Sequence, residues 1–219
     1  MPEPKAGRRL PGPTPPPATS PAPEALVREL IEQTPGVADP ETEALAERMK
    51  APIQGPVRIL FVDVDGTLTD GRVIEMRDGD ARNFWVRDGL ALQWARELGV
   101  LPVIISGRAS LAVEHRMHDL GLEHYLGVQD KVAVAERVCA REGVGWESCM
   151  MVGDDLPDIP LMKRVGWPVA VVDGQPEVKA FARTVTLERA GFGAVREVVE
   201  MVLRHNGVWD QVLRRYEAL

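Results

Sequence analysis

Two aspartates one residue apart end an apolar run, a place where like charges repel and burial is costly. They are Asp63 and Asp65 in "ILFVDVDGTLTDG" at residues 59–71. If the run is a strand, side chains two residues apart lie on the same side, so both carboxylates meet. Gly66 permits a tight turn that brings backbone N–H groups toward a ligand. Carboxylates, water and substrate phosphate are the ligands that Mg²⁺ prefers, so the pair predicts a magnesium site rather than an ordinary Asp-Gly turn.

Polar residues at other predicted element ends could act with this pair. Ser106 ends the apolar run "VLPVIIS", and Asp154 ends "CMMVGD" with Asp155 and Asp158 just beyond it. Ligands of parallel sheets bind beyond the carboxyl ends of the strands, so these residues should meet at one sheet edge. Lys131 opens a predicted helix, where a lysine gains nothing from the helix dipole; it is either a solvated surface lysine or part of the site. The set predicts phosphoryl transfer, in which metal and lysine offset developing charge while a carboxylate attacks in line.

The elements that must position these residues alternate between apolar strands and amphipathic helices. This alternation predicts an α/β fold: a Rossmann-like, doubly wound, mostly parallel sheet with helices on both faces. The strands are predicted at 57–63, 100–106, 124–127, 149–154, 167–172 and 183–186. The helices are predicted near 89–98, 109–120, 130–142, 157–164, 176–182 and 193–205.

The segment at 72–89, "RVIEMRDGDARNFWVRDG", breaks this alternation. Two short apolar-bearing stretches flank an Asp-Gly turn, which predicts a β-hairpin protruding after the first strand. An isolated hairpin is marginally stable in water. Its apolar residues are Val73, Ile74, Met76, Phe84 and Trp85. We therefore expect the hairpin to pack on another chain in an oligomer.

The chain divides into four predicted segments. Nine of the first 23 residues are proline, which predicts a disordered arm over 1–23. Residues 24–56 predict a short helical extension and linker, with "PEALVRELIEQT" and "PETEALAERMK" as amphipathic pieces. The main domain is predicted at 57–205, followed by a C-terminal tail at 206–219.

Composition excludes several classes of function. The net charge of -7 and a pI near 5.2 argue against binding to nucleic acid or an anionic membrane surface. No apolar run approaches the roughly 20 residues of a transmembrane helix, and no apolar core follows the basic residues of the N-terminus as in a secretory signal. Cys139 and Cys149 fit two reduced core thiols better than a disulfide framework or a metal site. We expect a cytoplasmic protein.

Four motifs occur in the order found in the haloacid dehalogenase-type phosphatase superfamily, which the chain resembles over about 57–205. They are "DVDGT", "SGR", the distal Lys131 and "GDDLPD". More narrowly, the chain resembles the 3-deoxy-D-manno-octulosonate 8-phosphate (Kdo-8-phosphate) phosphatases. This closer resemblance rests on Arg116, ten residues after Ser106, and on the strings "DVDGTLTDG", "FWVRDG", "GDDLPDIPLMKRVG" and "GFGAVRE".

The resemblance implies a catalytic role for each motif residue. Asp63 is implied as the nucleophile that forms an aspartyl-phosphate, and Asp65 as the general acid and then base. Ser106 and Lys131 are implied to hold the phosphoryl group. Mg²⁺ is the implied cofactor, with Asp63, Asp65 (through its backbone carbonyl) and Asp154 as ligands.

The resemblance also implies an anionic sugar phosphate substrate and a homotetramer without a cap domain. The short gaps between the motifs independently leave no room for a cap domain. The implied substrate-binding residues are Asp65, Trp85, Val86, Arg87, Asp88, Gly89, Gly107, Arg108, Arg116 and Lys131. For Arg108 and Arg116, surface pairing with acidic residues is the alternative. The tail either reaches a neighbour's site, as in relatives, or forms a simple amphipathic helix.

The expected activity is Mg²⁺-dependent conversion of Kdo-8-phosphate to Kdo and phosphate in lipopolysaccharide biosynthesis. One alternative is a phosphatase of a sialic-acid-type nine-carbon sugar acid phosphate or another small phosphate. Another is a non-catalytic oligomerisation module with the same fold. A signalling receiver domain also groups carboxylates, a hydroxyl and a lysine, but receivers lack the second aspartate of the DxDGT loop.

Overall fold

The structure is a computed structural model of the chain and describes residues 52–77 and 79–219. The Pro-rich arm predicted at 1–23 lies outside the described residues. So does the extension predicted at 24–56, apart from its last five residues. Two of those pack on the main domain: Ile53 contacts the core, and the Gly55 carbonyl accepts a hydrogen bond from the His205 ring.

A six-stranded, wholly parallel sheet forms the centre of the described chain, with strand order β5-β4-β1-β6-β7-β8. A separate antiparallel pair, β2 and β3, forms the hairpin. The strands are β1 Ile59–Val62, β2 Ile74–Met76, β3 Gly79–Ala81, β4 Leu101–Ile105, β5 Glu123–Tyr125, β6 Cys149–Gly153, β7 Trp167–Ala170 and β8 Thr184–Val185. The predicted α/β fold is confirmed.

Helices cover both faces of this sheet. They are α1 Val86–Glu97, α2 Leu111–Leu120, α3 Lys131–Glu142, α4 Ile159–Met162, α5 Pro176–Ala180, α6 Ala194–His205 and α7 Trp209–Arg215. Between β1 and β4 the described residues hold the hairpin and α1 alone as regular elements beyond the turn after β1, so the predicted capless architecture is confirmed.

The central strand β1 shows why its sequence is apolar without alternation. Leu60 and Val62 face a core cluster that includes α1, α2, α6 and α7, while Ile59 and Phe61 face a second cluster on α3 and α4. All four side chains are buried because the strand is covered on both faces. This rigid centre carries the polar residues that follow it.

The hairpin forms as predicted. Ile74 of β2 lies opposite Ala81 of β3, and Met76 lies opposite Gly79. Ile74 is 55% exposed and Met76 57% exposed, so the hairpin presents apolar side chains on the surface of the chain.

All six predicted helices agree with the structure to within three residues at each end, but only the central four residues of the helix predicted at 157–164 are α-helical, as α4. A 3₁₀ turn over Leu156–Asp158 precedes the single turn of α4. Pro157 and Pro160 lack a backbone N–H, and the Asp158 carboxylate accepts the Asp154 and Asp155 N–H groups. These bonds hold an irregular turn where helical periodicity predicted a longer helix.

The C-terminal tail forms the helix α7, which packs on the main domain of the same chain. Trp209 of α7 is buried, with its ring centroid 6.0 Å from that of Trp94 in an edge-to-face arrangement. The Trp94 indole N–H donates to the Tyr216 hydroxyl at 3.2 Å. Trp94 and Trp209 therefore join α1 to the end of the chain.

Two further observations bear on the composition. Cys139 and Cys149 are free thiols, both buried, with sulfur atoms 3.6 Å apart. Burial raises the pKa of both thiols, which keeps them in the neutral form. Among the helices of the described residues, none combines the length and apolarity required to cross a bilayer.

Candidate active site

The strand register brings the predicted site residues to one edge of the sheet. Val62, the last residue of β1, lies beside Ile104 of β4 and Val152 of β6. Asp63, Ser106 and Asp154 follow at the carboxyl ends of these three adjacent strands.

Lys131 links two carboxylates at this edge. Its Nζ lies 2.5 Å from Oδ1 of Asp63 and 2.6 Å from Oδ1 of Asp158, and all three residues are buried. Lys131 begins α3, whose N-terminus is capped by the Asp130 side chain through the Ala133 N–H. Burial works to lower the pKa of Lys131, but the charges of Asp63 and Asp158 outweigh it and raise that pKa. The lysine is therefore a fixed, charged part of the site and not a solvated surface residue.

Three carboxylates share this small space. Asp63, Asp154 and Asp158 each offer an oxygen within 4.8 Å of the others. Burial, followed by the charge of Asp158, raises the pKa of Asp63 well above its ordinary value, although Lys131 works against the shift. The same two causes raise the pKa of Asp154 to about 6. The cluster holds more negative charge than Lys131 compensates, and a divalent cation with oxygen ligands fits that donor set.

The hydrogen bonds separate the cation ligands from the supporting carboxylate. Asp158 uses one oxygen for Lys131 and the other for the backbone N–H groups of Asp154 and Asp155. Asp154 accepts a bond from the Thr67 hydroxyl at 3.0 Å. Asp63 and Asp154 are therefore the side chains that fit Mg²⁺, while Asp158 positions the lysine and the loop.

The turn after β1 brings its backbone against Asp154. Gly66 has φ of +93°, and a Cβ at this position would lie 2.2 Å from an Asp154 carboxylate oxygen. Glycine is required here both by conformation and by space.

The Asp65 side chain leaves the carboxylate cluster, which differs from the expectation of strand periodicity. Residues 64–68 turn away from the strand, and Asp65 accepts a hydrogen bond at 2.6 Å from Nε of Arg82. Nε of Arg108 lies 3.9 Å from the other Asp65 oxygen. The structure thus gives Asp63 and Asp65 different partners, ammonium for the first and guanidinium for the second.

Comparison with known proteins identifies the family. A model described as haloacid dehalogenase-like hydrolase matches residues 127–198. The chain is 37% identical over 157 residues to the 3-deoxy-D-manno-octulosonate 8-phosphate phosphatase KdsC of Escherichia coli strain K12, covering 71% of this chain and 84% of that protein. The chain belongs to the Kdo-8-phosphate phosphatase family of haloacid dehalogenase-like hydrolases.

Solved structures agree with this assignment. A 3-deoxy-D-manno-octulosonate 8-phosphate phosphatase from Moraxella catarrhalis, in complex with magnesium ion, phosphate ion and Kdo, superposes with a TM-score of 0.71 at 30% identity. This superposition covers 80% of this chain and 98% of the Moraxella chain. The cobalt-bound deoxy-D-mannose-octulosonate 8-phosphate phosphatase from Haemophilus influenzae superposes with a TM-score of 0.67 at 32% identity. This superposition covers 70% of this chain and 91% of the Haemophilus chain.

In this Kdo-8-phosphate phosphatase family member, the loop after β4 holds three of the predicted residues. Ser106 is buried, and its Oγ accepts the Arg108 N–H at 3.1 Å. Gly107 and Arg108 are exposed beside it. The loop is thus folded around the serine hydroxyl, with the Arg108 guanidinium on the side of Asp65.

The residues predicted at the hairpin's exit lie in two environments. Trp85, Val86 and Arg87 are exposed, and the Trp85 ring lies 5.8 Å from that of Phe192. Asp88, in contrast, is fully buried and accepts the Arg196 N–H at 2.7 Å, at the N-terminus of α6. Burial raises its pKa to about 6 although backbone hydrogen bonds oppose the shift. The structure therefore places Asp88 in a helix-capping position and does not bring its carboxylate to the surface that Trp85 and Arg87 share.

Gly89 and Arg116 lie against each other. A Cβ on Gly89 would be 2.8 Å from Nη2 of Arg116 and 3.2 Å from the Leu120 methyl groups. The Arg116 guanidinium also lies 5.9 Å from the centre of the Phe84 ring. Gly89 thus admits Arg116 to the start of α1 without itself presenting a side chain.

Sequence reasoning missed two residues that the structure adds to the site, Thr67 and Arg82. Thr67 binds Asp154, and Arg82 binds Asp65. The available signal for Arg82 was its position two residues after Asp80, just past the end of β3, because extended backbone places side chains two residues apart on one face. Thr67 lies within the "DVDGT" motif itself.

Proposed function

We propose that this family member is a Mg²⁺-dependent phosphatase that converts Kdo-8-phosphate to Kdo and phosphate, a step of lipopolysaccharide biosynthesis. The observation that carries the proposal is the Lys131 ammonium set between Asp63 and Asp158 beside the Asp154 carboxylate. Kdo-8-phosphate is proposed as the substrate because the similar proteins of Escherichia coli and Moraxella catarrhalis are Kdo-8-phosphate phosphatases.

In the proposed reaction, an Asp63 carboxylate oxygen attacks phosphorus and forms an aspartyl-phosphate. The P–O ester bond breaks, and its electron pair goes to the leaving alkoxide, which takes a proton from Asp65. Water then gives a proton to Asp65 and attacks the aspartyl-phosphate, releasing phosphate and restoring Asp63. Mg²⁺, held by Asp63, Asp154 and the Asp65 carbonyl, would neutralise charge on the phosphoryl oxygens.

The remaining residues bind the substrate. The Ser106 hydroxyl and the Lys131 ammonium hold phosphoryl oxygens, where a cation offsets developing negative charge. The basic side chains Arg87, Arg108 and Arg116 attract an anionic sugar. The other proposed contacts are Asp65, Trp85, Val86 and Gly107, while the buried Asp88 and Gly89 would support this surface from beneath without touching the substrate.

We also propose that the protein is a homotetramer in which hairpins pack together. The exposed Ile74 and Met76 support this, because a protruding hairpin with an apolar surface is stabilised by burial. The capless fold supports it too, since a neighbouring protomer would then help enclose the substrate.

Phosphate release from a panel of phosphates, with Mg²⁺ and with EDTA, tests the proposed activity. The panel contains Kdo-8-phosphate, a sialic-acid-type nine-carbon sugar acid phosphate, small sugar phosphates and p-nitrophenyl phosphate. We expect the highest kcat/KM for Kdo-8-phosphate; a higher value for the nine-carbon sugar would select the alternative substrate. Hydrolysis of no compound in the presence of Mg²⁺ would favour a non-catalytic module.

The matched variants are Asp63→Asn and Asp210→Asn, the second at an exposed carboxylate on α7. Asp63→Asn should abolish phosphate release, and Asp210→Asn should retain it. Equal rates for wild type and Asp63→Asn would refute the proposed nucleophile.

A further inference from the structure

Arg82 is the most enclosed charged side chain of the hairpin region. It follows β3, and its side chain has no solvent exposure. Nε donates to Oδ1 of Asp65 at 2.6 Å, and Nη1 donates to Asp80. Nη2 is buried and has no hydrogen-bond partner among the described residues. Burying a guanidinium costs free energy unless its partners are fixed, so the two carboxylates must hold it tightly.

The second anchor of Arg82 is itself held by a helix. Asp80 accepts the Ser110 hydroxyl at 3.0 Å, and the Ser110 Oγ accepts the Val113 N–H at the N-terminus of α2. A continuous chain of hydrogen bonds therefore runs from α2 through Ser110, Asp80 and Arg82 to Asp65. The hairpin and α2 are joined to the catalytic loop by this chain.

These contacts fix the direction of the Asp65 carboxylate. One oxygen is bound to Arg82, which leaves the other oxygen on the side where Arg108 lies. Proton transfer to a leaving group requires the donor oxygen within hydrogen-bond reach of that group. A carboxylate free to rotate would meet this requirement in only part of its orientations.

We propose that Arg82 is a positioning residue that aligns Asp65 for proton transfer to the leaving oxygen. This inference rests on the proposed function, because it gives Asp65 the role of general acid. Arg82 does not contact the substrate; it acts through Asp65. The opposing explanation is that Arg82 only attaches the hairpin to the domain.

Leaving-group dependence separates these explanations. An alkyl phosphate releases a strongly basic alkoxide that needs a proton, whereas p-nitrophenyl phosphate releases a stable phenolate that does not. The ratio kcat/KM reports the transition state relative to free enzyme and substrate, and thus covers the step in which the ester bond breaks. Loss of Asp65 alignment should lower kcat/KM for the alkyl substrate selectively.

The experiment compares wild type, Arg82→Met and Arg82→Lys on both substrates with saturating Mg²⁺. The alkyl substrate is Kdo-8-phosphate, or whichever alkyl phosphate the panel ranks first. General acid catalysis contributes roughly 100-fold or more, so Arg82→Met should lose about 100-fold on the alkyl substrate and no more than about threefold on p-nitrophenyl phosphate. Arg82→Lys keeps a cation and should recover part of the alkyl activity.

A second variant keeps the inference falsifiable if Arg82→Met does not fold. Asp80→Asn keeps Arg82 and Asp65 but weakens the contact of Arg82 with residue 80. It should therefore lower kcat/KM for the alkyl substrate selectively, by a smaller factor than Arg82→Met does. Equal losses on both substrates would overturn the positioning role and assign Arg82 to hairpin attachment. Unchanged alkyl kcat/KM would also overturn it. Failure of the proposed function looks different: wild type would then hydrolyse neither substrate, or Asp63→Asn would remain active.

Discussion

The Lys131 ammonium lies 2.5 Å from a carboxylate oxygen of Asp63, and the same nitrogen lies 2.6 Å from one of Asp158. A single buried cation thus joins the end of β1 to the turn after β6. Its position explains why a helix begins with lysine: two carboxylates offset the unfavourable helix dipole.

Removing this cation should affect both stability and activity. Lys131→Met would leave Asp63, Asp154 and Asp158 together without a compensating charge, and loss of one partner from a buried ion pair costs about 3–5 kcal/mol. We expect a lower free energy of unfolding in urea with EDTA, partial recovery with Mg²⁺, and loss of phosphate release. Lys179→Met, on α5, is the control and should stay close to wild type. Equal unfolding curves for Lys131→Met and wild type would contradict the structural role.

Gly66→Ala should disturb the cation site through Asp154. A left-handed backbone costs a non-glycine residue about 1–2 kcal/mol, and here a Cβ would also lie 2.2 Å from an Asp154 oxygen. Gly99 is a matched control because its φ is +85° and nothing lies within 4 Å of an added Cβ. Both variants should lose stability, but only Gly66→Ala should bind Mg²⁺ more weakly, by roughly 10-fold or more in calorimetric titration. Equal Mg²⁺ affinity in the two variants would rule out this contact as a constraint on the site.

Asp88 should make stability depend on pH. Its pKa is about 6 in the folded protein and 3.8 ordinarily. Between these values the folded state binds more protons than the unfolded state, so the free energy of unfolding falls as pH rises from about 4 to about 6. The total decrease in the free energy of unfolding that Asp88 causes across this pH range is about 3 kcal/mol.

Asp88→Asn should remove this part of the pH dependence. Unfolding measured in urea at pH 4, 5, 6 and 7 for both proteins isolates the contribution, because other carboxyl groups titrate equally in both. The stability of Asp88→Asn relative to wild type should rise with pH across this range. A constant difference would show that Asp88 stays ionised despite its burial.

The exposed apolar side chains of the hairpin should be required for the proposed homotetramer. Ile74→Asp combined with Met76→Asp should reduce the mass measured by sedimentation velocity, because charges replace the apolar side chains proposed to pack between protomers. Leu187→Asp is the control, since Leu187 is 87% exposed and lies outside the hairpin. An unchanged mass for the double variant, or a monomeric wild type, would exclude the hairpin as the assembly surface.

Much of the fold and part of the site followed from local pattern. Continuous apolar runs predicted strands buried on both faces, and the rule that ligands bind at strand carboxyl ends grouped Asp63, Ser106 and Asp154. Such predictions succeed because a short apolar run is enough to predict a buried strand, and the alternation of strands with helices predicts that the strands are parallel. The irregular turn at Leu156–Asp158 was missed because two prolines and a carboxylate override helical periodicity there.

Other parts of the site depend on contacts between residues far apart in the chain. Asp88 binds the backbone of Arg196, 108 positions away, so its place beneath α6 rather than at the surface cannot be inferred from the residues around it. Asp65 meets Arg82 because residues 64–68 form a turn and the hairpin folds back over it. Neither feature produces a periodic pattern in the sequence from which this contact could be predicted.

By itself the sequence determined the parallel sheet, the capless arrangement, and the residue types that gather at its edge. Only the tertiary structure decided the partner of each carboxylate: Lys131 for Asp63 and Asp158, Arg82 for Asp65, and Thr67 for Asp154. The physical reason is that hydrogen-bond pairing depends on distance and direction in space, whereas burial pattern depends on neighbours along the chain.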